Sequence, residues 1–329
     1  MRQLRLGTGL QRAVLDGFAF PLGIVPGGIQ PPTQGYTIAY NTPRDDESDT
    51  YTFHVVVSHE RIAPILHRAF ELLPEQVLGI VEISSRDAYR AVDIYVGHEP
   101  VAVRDFLRTW RRFETVLLED AALGAGANSE DPFIEVFLDQ WKGLSIIAPL
   151  PLRDQVEAML DRFDLEEVPQ TWADDDEQAV STSQIRSVIQ HDDDDALDLD
   201  DLLLELRYDW RLELDVDLHT NVDDAGRNLG FTLWRAVVGV DDAAGDPSRG
   251  ADIVLWATAD SLDQLDELID EALNSRPQWR LAEIFAVDRV AFDERPDELA
   301  DLPPKRREAE VHLVQVEPWI APPDQARHD

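Results

Sequence analysis

Cysteine is absent from this 329-residue sequence, lysine occurs twice and methionine twice. Without a thiol the chain forms no disulfide, has no cysteine nucleophile and offers no thiolate to zinc or an iron–sulfur cluster. It also lacks the staples of a small secreted scaffold. No stretch reaches the roughly 18 consecutive apolar residues that a membrane-spanning helix needs. The first residues, MRQLRLGTGLQRAVLDGFAF, carry Arg2, Arg5 and Arg12, and Gln11, Arg12 and Asp16 interrupt any apolar leader core. A soluble, cytoplasmic protein is expected. Basic charge is scarce as well. No extended basic face is visible, so neither nucleic acid nor an anionic membrane surface is an expected partner.

Acid is what the sequence has in excess. It holds 66 Asp plus Glu against 29 Lys plus Arg, a net charge of −37. The acids are 42 Asp and 24 Glu, the bases 27 Arg and only Lys142 and Lys305. A surface rich in short carboxylates and nearly free of Lys suits high salt, where the screening length falls to about 3 Å at 1 M. A GC-rich genome produces the same bias, and the two readings are compatible. Residues 1–170 carry 15 bases and 26 acids, a net of −11, while 171–329 carry 14 and 40, a net of −26. With 44% hydrophobic residues the chain can still build cores.

The length predicts two α+β domains. Residues 1–50, with PLGIVPGGIQPPTQG, read as an extended arm packed on a domain, since Phe18, Phe20, Leu22, Ile24 and Val25 are too apolar for a free tail. Residues 51–168 alternate strand and helix patterns: strands at 51–58, 77–84, 91–97, 133–139 and 144–148, and helices opening near Pro64, Pro100 and Pro151. GAGANSEDP reads as a loop. The first elements have the β-α-β-β-α-β order of a ferredoxin-like unit, followed by an extra strand and helix. Residues 169–201 read as an acidic linker, since 171–201 contain 11 acids and one base, Arg186. Residues 202–329 read as a sheet-rich α+β domain, with an alternating strand over 202–218 and one main helix at Ser261–Leu273.

Four groups of residues could carry chemistry. His59-Glu60 in VVVSHERIAPIL and His98-Glu99 in DIYVGHEPVAVRD each follow a strand and precede a helix. In a ferredoxin-like unit those strands are parallel neighbours, so both pairs would meet at one sheet end. Two imidazoles and two carboxylates there could bind a divalent metal or act as an acid–base pair. The competing reading is structural: Glu suits a helix start and His suits a turn. Arg104, Arg108, Arg111 and Arg112 cluster on the second helix, as an anion or acidic-partner site or, more simply, paired with the protein's own acids. Asp215, Asp217 and His219 resemble the start of a calcium loop in spacing, but Thr220 and Gly226 stand where Gly and Glu are needed; a solvated strand face explains them better. Trp172 and Trp319 sit in polar or Pro-rich contexts as candidate exposed anchors.

No dinucleotide or phosphate-loop fingerprint, nucleophile elbow or H-E-x-x-H motif is present. The reading that follows is a non-enzymatic, acidic binding or structural protein that associates with a protein partner or with itself. The alternatives are an enzyme with a His-Glu site in the first domain and a small-ligand sensor binding between two domains.

Overall fold

The computed structural model describes residues 4–42, 48–172, 184–189, 197–303 and 305–320. It is a mixed α+β structure in which sheets dominate. The chain divides into two compact units. One is built from the residues up to Ser84 together with Asp93–Asp215, the other from Ser85–Val92 together with the residues from Val216 onward.

The first unit opens with three short strands, β1 (Val14–Leu15), β2 (Phe18–Ala19) and β3 (Ile24–Val25). Then come β4 (Gly35–Asn41), β5 (Thr50–Val56), helix α1 (Ile62–Phe70), β6 (Gln76–Ser84), β7 (Val92–Gly97), β8 (Val101–Ala102) and helix α2 (Val103–Glu119). The unit is completed by β9 (Leu123–Glu130), β10 (Phe133–Leu138), β11 (Leu144–Pro149), helix α3 (Arg153–Asp161), β12 (Gln184–Ile185), helix α4 (Leu199–Trp210) and β13 (Leu212–Leu214). Nine strands form one sheet in the order β13-β7-β6-β9-β10-β11-β5-β4, with β8 beside β6.

This order differs from a split βαβ unit, in which β5 and β7 would be parallel neighbours. Four strands separate them. The segment responsible is Leu123–Glu130, the Gly-rich run expected to be a loop. It is strand β9, paired antiparallel with β6 on one side and β10 on the other. Gly and Asn are poor strand formers, but close packing overrides propensity here. A Cβ built on Gly126 would stand 2.2 Å from the Val136 carbonyl oxygen and 2.6 Å from Phe137 Cα. The glycines let the backbone lie against Phe137. Residues 35–41, read as part of an irregular arm, are likewise a regular strand beside β5.

A second difference concerns 199–210. The run reads as an alternating strand, but Leu202, Leu206 and Trp210 recur at four-residue spacing and are the buried face of a helix. Asp198 and Asp201 form a reciprocal capping box at its start. The end of the acidic run is therefore a helix N-terminus, where carboxylates oppose the helix dipole favourably. Residues 184–189 of the expected linker also belong to the first unit: β12 pairs with β3, and Val188 and Ile189 are buried. Residues 173–183 and 190–196 lie outside the described residues.

The core of this unit centres on rings from three helices. Phe106 and Trp110 of α2, Phe70 of α1 and Trp210 of α4 pack with centroids 4.6–6.4 Å apart. Trp210 lies against Gly79 of β6, where a Cβ would come within 2.9 Å of it.

The second unit contains β14 (Thr232–Asp242), β15 (Arg249–Ala259), helix α5 (Leu262–Asn274), β16 (Trp279–Val290) and β17 (Glu310–Ile320). The strands form an antiparallel sheet in the order β16-β14-β15-β17. Ser261 caps α5 by accepting from the Gln264 amide at 3.2 Å. Leu265, Leu268, Ile269 and Leu273 of α5 bury one sheet face with Trp234, Ala236, Val238, Ile253 and Leu255. Register shifts interrupt the pairing of both outer strands, and β17 carries Pro318 near its end. Bulges and Pro guard sheet edges against strand addition. No helix among the described residues is long and apolar enough to cross a membrane.

Within this unit Arg289 and Asp87 form a buried ion pair, Nε to Oδ2 at 2.8 Å, with side chains 4% and 0% exposed. The Arg289 amide also donates to Asp87, and its Nη1 donates to Asn221 Oδ1 at 2.9 Å and the Val222 carbonyl at 2.6 Å. The pair is thus hydrogen-bonded on several sides, the condition under which buried charge is tolerated. Replacing Arg289 with Met should lower unfolding stability by about 3–5 kcal/mol. The double replacement with Asp87→Leu should lose less, because no unpaired charge is left inside. Urea denaturation of the three proteins checks both expectations.

Candidate functional site

His59 follows β5 in a short 3-10 turn, His59–Arg61, that leads into α1. Its partner is Glu119, the last residue of α2: His59 Nε2 lies 3.0 Å from Glu119 Oε1. The same carboxylate accepts from both Nη atoms of Arg12 and from the Leu22 amide at 2.8 Å. The Glu119 carbonyl accepts from the Gly23 amide at 2.8 Å. Burial would push the Glu119 carboxyl up, but hydrogen bonds from His59, Arg12 and Leu22 outweigh it and hold it down to about 2. Glu60 turns elsewhere and accepts from the Ser58 hydroxyl at 2.6 Å. Ser58 is fully buried and its Oγ accepts from the Ala19 amide. These contacts hold the N-terminal segment over a small separate core of Phe18, Phe20, Ile24, Val56 and Ala121. His59 Nδ1 is buried without a hydrogen-bond partner.

His98 and Glu99 are not brought to this place. They lie beyond β7: His98 Nδ1 is 3.5 Å from Glu213 Oε1, and Glu99 pairs with Arg211 at the surface. The expected meeting of the two His-Glu pairs fails because β5 and β7 are not neighbours. The described residues contain no group of three or more His, Asp or Glu placed to hold a metal ion.

Lys142 is not among the expected site residues. One of only two lysines, it sits in the β10–β11 turn with φ of 64°, a left-handed conformation costly for a residue with a Cβ. Its side chain is buried and Nζ donates to the Leu123 carbonyl at 2.5 Å. Burial lowers its pKa to about 8, against the opposing pull of Asp120, Asp139 and Glu119. The rarity of Lys is the only sequence signal that points to it.

Three of the four α2 arginines lie near acids of this chain. Arg108 and Arg104 reach Asp105 at 2.7 and 3.8 Å, and Arg112 makes a two-pronged contact with Glu205 of α4 at 2.9 and 3.2 Å. Arg111 is exposed. Asp217 closes a turn by accepting from the His219 amide and the Thr220 hydroxyl, and His219 pairs with Asp263. The strand before them ends at Leu214, so 215–217 are irregular and 218–219 a turn, not a strand face. The Asp215 amide donates to Ile94. Trp172 packs edge-on against Trp141, 5.9 Å away, and is not a free anchor. A shallow depression of about 480 Å³ beside Glu75, Pro100, Glu130 and Asp131 contains none of the expected site residues.

The most telling surface is the side of the β14–β15 sheet that α5 leaves open. Register pairing places Val237, Val254, Trp256 and Leu313 on that side, together with Trp319, whose ring lies over Gly250. All five are half-buried, and none of them packs into the core beneath α5. A signal for this face existed in the sequence. FTLWRAVVGV and DIVLWAT are apolar almost without interruption, the pattern of strands covered on both faces. Only one face is covered by this unit's helix.

No family model matches this chain, and no curated protein or solved structure shows significant similarity to it.

Two outcomes follow for the charged groups of the first unit. The depressed folded-state pKa of Glu119 means its stabilising effect is complete above the ordinary carboxyl value and is lost as pH falls from about 4.5 towards 2. Glu119→Gln should lower stability by about 3 kcal/mol at neutral pH. It should also open the N-terminal segment to protease, read by limited proteolysis. Lys142 has the opposite sense. Its charged form is disfavoured in the fold, so wild type should gain stability relative to Lys142→Met as pH rises from about 8 towards 10. Denaturation curves of both proteins across that range check the sign.

Proposed function

We propose that this chain is a non-catalytic, acidic interaction protein of the cytoplasm whose binding surface is the open face of the second unit's sheet. The observation that carries this reading is the group of Val237, Val254, Trp256, Leu313 and Trp319 on the sheet face that this unit's helix does not cover. Half-buried Trp, Val and Leu side chains gathered on one sheet face are a composition suited to a protein-binding patch. The groups that could have made an acid–base site support the same view. His59 and Glu119 are engaged in holding the N-terminal segment, and His98 is paired separately at the surface.

The test is a photo-crosslinking amino acid placed at Val254 on the open face, and at Glu267 on the exposed side of α5, in the organism that makes the protein. Irradiation should yield a discrete protein adduct from position 254 and none from 267. Equal labelling from both positions, or none from 254, overturns the proposal.

A further inference from the structure

The open face also states what kind of partner fits it. Three carboxylates lie in one register row across the sheet. Asp252 stands directly opposite Glu317, and Gly239 pairs Asp252 on one side and Glu283 on the other. None of the three has an ion-pair partner among the described residues. Like charges directly opposite on neighbouring strands destabilise a sheet. Adjacent strands are about 4.8 Å apart, so the row spans roughly 15 Å from Glu283 to Glu317. The next rows along the same face carry the apolar pairs Val237 with Val254 and Trp256 with Leu313, flanked by Gln315 and by Arg235, which is itself paired with Asp288 at 3.8 Å. An apolar strip bordered by an uncompensated acidic row matches a segment with apolar side chains on one side and Lys or Arg along its border. A second copy of this chain is a poor fit, since it brings a net charge of −37, and its α5 helix, LDQLDELIDEALN, is itself acidic.

We infer that the open face binds a cationic amphipathic segment of another protein, its apolar side chains over Val237, Val254 and Trp256 and its basic side chains on Glu283, Asp252 and Glu317. This inference rests on the binding reading above and adds the chemistry of the partner.

The experiment uses the full chain and three labelled 14-residue peptides: an amphipathic Leu/Lys helix, the same helix with Glu for Lys, and a shuffled Leu/Lys peptide of equal charge without helical periodicity. Fluorescence anisotropy at about 0.15 M salt should show binding of the first at least tenfold tighter than of the other two. Asp252→Asn with Glu317→Gln, two surface changes that leave the core intact, should weaken the first peptide at least tenfold. Asp263→Asn with Asp270→Asn on α5 removes the same charge elsewhere and should leave it unchanged. Trp256→Ala should weaken it too, with circular dichroism confirming the fold. Equal binding of the shuffled peptide, or equal loss from both double variants, means general attraction to a polyanion and overturns the inference. Equal binding of the Glu peptide overturns the cationic assignment while leaving an apolar binding face. A crosslinked dimer of this chain from position 254 also overturns it, because the partner is then a second copy.

Discussion

A single carboxylate organises the periphery of the first unit. Glu119 ends α2, and it accepts from a histidine at the end of β5, an arginine near the N-terminus and the amide of Leu22. Buried carboxylates are stable as anions only when several donors surround them. Here the donors come from two places far apart in sequence, the N-terminal segment with Arg12 and Leu22 and the end of β5 with His59, so satisfying the charge also fixes where α2 meets them. The small core under the N-terminal segment depends on this arrangement for its cover.

The rest of the buried charge follows the same rule. Asp87 and Arg289 satisfy each other within the second unit and draw in Asn221, which in turn donates to the Gly230 carbonyl and the Thr232 hydroxyl. Lys142 reaches a backbone carbonyl with carboxylates nearby, at the cost of a strained backbone and a depressed pKa. Among the described residues Asp87 and Glu119 are matched to donors, whereas burial and the neighbouring Asp139 and Glu135 push the Glu82 carboxyl up; most other acids stay at the surface. The acidity is therefore mainly a surface property. Its consequences are solubility and choice of partner, not fold.

The second unit shows the complementary problem, an apolar surface in excess of what its own helix can cover. A two-layer α/β arrangement buries one sheet face, and the other still carries Val237, Val254, Trp256 and Leu313 among polar residues. Three uncompensated carboxylates border the exposed strip. Register shifts disturb both outer strands and β17 carries Pro318, features that guard sheet edges against strand addition.

Local pattern was enough for much of this molecule. The spacing of Ile62, Ile65, Leu66 and Ala69, of Phe106, Trp110 and Phe113, and of Leu265, Leu268 and Ile269 reads directly as helices, and alternation marks most strands. The strand at 123–130 was not legible in this way, because its glycines are tolerated only with Phe137 against them, and the helix at 199–210 was obscured by the acids that cap it. The meeting of His59 with Glu119, the separation of His59 from His98, the burial of Lys142 and the open face were settled by the tertiary structure. Each depends on which strands lie side by side. That adjacency comes from backbone pairing and packing between residues tens to hundreds of positions apart, and short-range periodicity carries no record of it.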